Sequence, residues 1–79
     1  MQVKYLRLPN YDRWPIGKTQ CLPVPRLYGH EEFTDALQSK FRRWRRNELH
    51  PQRAKYRLHV RPTDDERAVL AIIYQAAPD

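Results

Sequence analysis

The sequence predicts a small two-layer α+β domain. Three observations carry that prediction: a segment with apolar residues at helical spacing, a segment of strict alternation, and a length that permits only one core. A chain of 79 residues buries only about 60% of its unfolded surface, too little for two independent cores, so residues 1–79 read as a single domain. Apolar residues make up 41% of the chain, enough for that core, while seven prolines call for at least one irregular stretch.

Residues 2–8, Gln-Val-Lys-Tyr-Leu-Arg-Leu, are rich in strand formers and halted by Pro9, which predicts a first strand. The Pro-rich segment 9–28 mixes Pro9, Asn10, Pro15, Gly17, Pro23 and Pro25 with Trp14, Ile16, Leu22, Val24 and Leu27. It reads as irregular chain pinned by apolar anchors, with room for a short edge strand around 21–24.

Residues 31–48 predict the helix. Phe33, Leu37, Phe41 and Trp44 share one stripe with Ala36 beside it. Gly29 or His30 stands where a cap belongs, acids fill the first turns and arginines the last, as the helix dipole favours. Residues 55–61 predict a strand, because Tyr56, Leu58 and Val60 alternate with Lys55, Arg57, His59 and Arg61 up to Pro62.

The final element, 64–77, fits two templates. Thr63 and Glu66 have the spacing of a capping box, and Val69, Leu70, Ile72, Ile73, Ala76 and Ala77 then line one side of a helix, which is the preferred reading. The alternative is an antiparallel strand hairpinned to 55–61 across residues 63–66, supported by the β-branched and aromatic residues of the run.

The functional signal is charge. Eleven arginines and four lysines face nine acids, for a net of +6, and the excess is local: residues 41–61 hold Arg42, Arg43, Arg45, Arg46, Arg53, Lys55, Arg57 and Arg61 against the single acid Glu48. Arginine's planar fork suits phosphate and carboxylate, so a concentrated block predicts a polyanionic partner. On the helix, Arg42 and Arg46 should point away from the apolar stripe with Arg43 and Arg45 flanking. Arg57, His59 and Arg61 should lie on the opposite side of the domain, giving two surfaces joined by the loop around Arg53. Trp44 is expected in the core rather than as a base-stacking platform.

The principal expectation is therefore a small nucleic-acid-binding module, for DNA or RNA, that uses those eight bases mainly on phosphates. At most modest base reading is expected, since no recognised base-reading motif is present. The alternative is a protein-binding regulator or inhibitor, of the kind phages and mobile elements encode, that docks the same block on an acidic surface of a larger host machine.

No enzyme, small-molecule substrate, cofactor or metal is expected. Gly17-Lys18-Thr19 resembles the end of a phosphate loop, but Asp12 stands where that loop needs a glycine. Cys21, His30, His50 and His59 lack the pair spacing of metal ligands, and Asp64, Asp65 and Glu66 suit a cap or turn better than a metal-dependent nuclease. The longest apolar run, 68–74, falls far short of the roughly 18 residues of a membrane span. The lone Cys21, expected buried and free, fits a reducing cytoplasm.

Overall fold

A computed structural model describes residues 8–76 of the chain, so the strand expected at 2–8 lies, but for Leu8, outside the described residues. Three strands, β1 (Gln20–Pro23), β2 (Tyr56–Pro62) and β3 (Ala68–Gln75), form an antiparallel sheet in the order β1-β3-β2, and one helix, α1 (His30–Arg45), packs on it. Single 3-10 turns at Tyr11–Arg13 and Pro51–Lys55 complete the fold. This is the two-layer α+β domain that the sequence predicts.

The helix preferred for 64–77 does not form; the strand alternative does. Thr63 N–H donates to Ala68 O and Glu66 N–H to Thr63 O, both at 3.0 Å, closing a hairpin between β2 and β3. The Thr63 hydroxyl donates to the Asp65 carboxylate at 2.7 Å instead of capping a helix. Glu66 sits at φ 58, a left-handed conformation that no residue in a helix's first turn adopts. β3 lies in the middle of the sheet, where β-branched side chains pack well, and it carries apolar residues on both faces. An apolar run without period 2 is what allowed the helical template to fit.

The predicted helix 31–48 is shorter at its C-terminus. Arg46 N–H still donates to Arg42 O, but Asn47 Oδ1 accepts from Leu49 N–H at 2.9 Å and turns the chain out. Gly29 caps the other end through its backbone alone. In β2, Pro62 is the last strand residue rather than the first beyond it. The edge strand expected around 21–24 is β1, and its alternation leaves Cys21 exposed, not buried, because Leu22 takes the inward position.

The core lies between α1 and the inward side chains of the sheet. Phe33, Leu37 and Val69 form one buried cluster, and Tyr11, Trp14, Phe41, Ala71 and Ile73 form another, with Leu58 and Val60 packed against both. Full burial of a side chain such as Leu37 or Ile73 contributes about 1.5–3 kcal/mol. The Pro-rich segment is tied to α1 by polar bonds: the Tyr11 hydroxyl donates to Leu37 O at 2.8 Å and Lys40 Nζ to Pro9 O at 2.8 Å. Burial pushes the Tyr11 hydroxyl well above its ordinary range, so it stays a donor. Gly17, at φ 83, takes the third position of a turn whose ends are Pro15 and Lys18, a place where L side chains are strained.

Candidate functional site

The eight bases of the arginine block divide by what their donors already hold. At the centre is Asp12, set by the first 3-10 turn, whose start is capped by Asn10 Oδ1 accepting from Asp12 N–H at 3.0 Å. Asp12 Oδ1 accepts from Trp44 Nε1 at 2.8 Å and from Arg53 Nη2 at 2.7 Å. The Arg53 guanidinium also lies 4.5 Å from the centroid of the Trp44 ring and donates to Trp44 O at 3.3 Å. Its side chain is only 14% exposed. Arg53 thus fastens the second 3-10 turn to the end of α1, and little of it is left to offer a partner.

Trp44 is half-buried against Tyr11, Phe41 and Tyr56, with ring centroids 5.5–6.3 Å away, and Arg53 covers part of it. It serves packing, as the sequence led one to expect.

Arg45 and Arg57 meet on one oxygen. Arg45 reaches Ala54 O through Nε (3.1 Å) and Nη2 (2.9 Å), and Arg57 reaches it through Nη1 (2.8 Å). Two guanidinium groups sharing an acceptor lie within about 6 Å of each other, a separation that raises the local positive potential. For Arg57, though not for His59 or Arg61, this corrects the expectation that the strand's cations lie on the side opposite the helix arginines. Arg57 starts on the outer side of β2 but folds back over the sheet's end, where the last turn of α1 arrives.

The other five bases are exposed: Arg42, Arg43, Arg46, Lys55 and Arg61. Arg42 Nε reaches Gln38 O only at 3.5 Å, the outer limit of a hydrogen bond. Lys55 Nζ lies 5.3 Å from the centroid of the Tyr56 ring. Among the described residues none of the five has an acidic partner within salt-bridge distance. Arg42, Arg43 and Arg46 occupy the end of α1, and Lys55 adjoins the Ala54 carbonyl that Arg45 holds. Arg61 stands apart, six residues along β2 from Lys55, a distance of about 20 Å in an extended strand.

Two neighbours of the arginine block escaped the sequence reading. Asp12 organises Trp44 and Arg53, and its signal was the Asn10-x-Asp12 spacing of an Asx turn. Leu49, 84% exposed at the tip of the Asn47 turn, stands next to the arginines at the end of α1. Its polar surroundings in sequence gave no pattern to find.

Among the described residues, no cluster of His, Cys, Asp or Glu could hold a metal ion, and no helix is long and apolar enough to cross a membrane. Asp64, Asp65 and Glu66 belong to the hairpin turn, where the Thr63 hydroxyl holds the Asp65 carboxyl below its ordinary range. Comparison of the chain with protein-family models, with curated proteins and with solved structures finds no match.

Proposed function

We propose that the protein is a small nucleic-acid-binding module that grips phosphates with the exposed cations at the end of α1. The observation that carries this reading is that Arg42, Arg43 and Arg46, with Lys55 next to the Ala54 whose carbonyl Arg45 holds, are exposed and have no acidic partner among the described residues. Arg45 and Arg57, converged on Ala54 O, deepen the positive potential behind them. Arg42, Arg43 and Arg46, within about one turn of the helix end, repel one another, and an anion relieves that repulsion. Phosphates placed this way fix register without reading sequence.

The test is a titration of labelled single-stranded and duplex oligonucleotides by fluorescence anisotropy across a salt series. With about four to five phosphates neutralised, log affinity falls against log salt with a slope near −4 on duplex DNA. A flat salt dependence, or no binding at low salt, sinks the reading.

A further inference from the structure

The sheet has a second face that the arginine ridge does not use. α1 covers the side carrying Val69, Ala71 and Ile73, which are fully buried. The opposite side of the central strand carries Leu70, Ile72 and Tyr74. Leu70 and Ile72 are half-buried and join neither core cluster, and Tyr74 is 43% exposed.

Register places a cation or histidine of β2 beside each of them: Arg57 pairs with Tyr74, His59 with Ile72 and Arg61 with Leu70. Exposed Cys21 of β1 flanks Leu70 on the other side. The Gly17 N–H bond to Ile73 O sets exposed Ile16 at the Tyr74 end. The face is an aliphatic row on the central strand bordered on one edge strand by exposed His59 and the exposed cation Arg61, the Arg57 guanidinium being turned to Ala54 O, and no strand residue on it is acidic. Antiparallel sheets tolerate one solvated face when that face is polar, and a row of aliphatics there marks a contact surface.

We propose that this outer face docks an acidic amphipathic segment of a partner protein, its apolar side chains over Leu70 and Ile72 and its carboxylates against His59 and Arg61. Charge decides the occupant. A second copy of this chain would bring another cationic border and no carboxylate from its own face to meet it. A single-stranded nucleic acid would find the charge but not the platform, since bases stack on aromatic planes and Tyr74 is the one aromatic in the row. Acidic residues beside leucine-like side chains satisfy both halves of the surface. The proposal does not rest on phosphate binding at α1, which uses other side chains.

The test is selection of a displayed library of random peptides about four helical turns long on the immobilised protein. Enriched peptides are then resynthesised and titrated while backbone amide shifts are recorded. Enriched sequences should combine Asp or Glu with apolar residues and shift the amides of Leu70, Ile72 and Tyr74. Ile72→Thr, which keeps a β-branched residue, and Arg61→Glu, which cannot open the core, should each weaken the peptides about tenfold or more. Arg42→Glu with Arg46→Glu should change their affinity less than about twofold.

No enrichment, enrichment of sequences without carboxylates, or indifference to both Ile72→Thr and Arg61→Glu overturns the proposal. So does displacement of the peptide by an oligo-dT strand that shifts the same amides, or a concentration-dependent dimer that Ile72→Thr abolishes. A normal salt slope on oligonucleotides alongside any of these results leaves the α1 reading standing, so the two fail separately.

Discussion

Two regions of the arginine block share a composition and differ in what their side chains do. Around Asp12 and Ala54, Arg45, Arg53 and Arg57 give their donors to backbone carbonyls, a carboxylate and the Trp44 ring. At the end of α1, Arg42, Arg43 and Arg46 are exposed, and among the described residues their side chains make one long hydrogen bond, from Arg42 to Gln38 O. The cause is local geometry. The 3-10 turn at Pro51–Lys55 presents Ala54 O, which Arg45 and Arg57 reach, and in the last turn of α1, where carbonyls lack intrahelical partners, Trp44 O is taken by Arg53. Charge density along a chain therefore overstates the charge a partner can use, and only acceptor geometry separates the two populations.

That separation breaks if stability and binding respond together to substitutions in both regions. The largest effect is expected from Arg42→Glu combined with Arg46→Glu. Oligonucleotide affinity should drop roughly 30- to 300-fold and the salt slope should shrink by about 2, with unfolding free energy unchanged within about 0.5 kcal/mol. Anisotropy and urea denaturation on the same samples read both quantities.

Arg53→Met, which keeps the stem over Trp44 but removes the guanidinium, should do the reverse. We expect a loss of about 1–2 kcal/mol in urea denaturation, a red shift of tryptophan emission, and a salt slope unaltered within error. Arg57→Glu with Arg61→Glu falls between them, weakening oligonucleotides by less than about fivefold because Arg57 is anchored and Arg61 is remote. A loss as large as that of the α1 pair would place phosphates along the strand instead. The smallest change belongs to Asp12→Asn. It keeps the acceptor for Trp44 and removes only the charge opposite Arg53, so stability should fall by about 0.5 kcal/mol at low salt and by less in 1 M salt.

Much of the architecture was legible from residue order. The Phe33, Leu37, Phe41, Trp44 stripe located α1, and the alternation from Tyr56 to Val60 located β2, because each buries one side and the period survives in the sequence. β3 was ambiguous for the opposite reason. A central strand pairs through its backbone on both edges, and its outer face here is aliphatic, so period 2 is lost and helix and strand templates fit alike. Glu66 adds to this, since a glutamate gives no warning of the left-handed turn conformation that glycine or asparagine would have announced.

For the site, residue order alone shows that positive charge gathers between Phe41 and Arg61 and that the apolar stripe leaves the arginines at the end of α1 outside. Tertiary structure alone decided which of those arginines remain available. Asp12 reaches Arg53 across 41 positions of chain, and Arg45 and Arg57 meet on a carbonyl that neither adjoins in sequence. Hydrogen bonds between distant residues leave no periodic trace. The outer sheet face is likewise a product of pairing, since Arg61 stands beside Leu70 only once the hairpin has set the register.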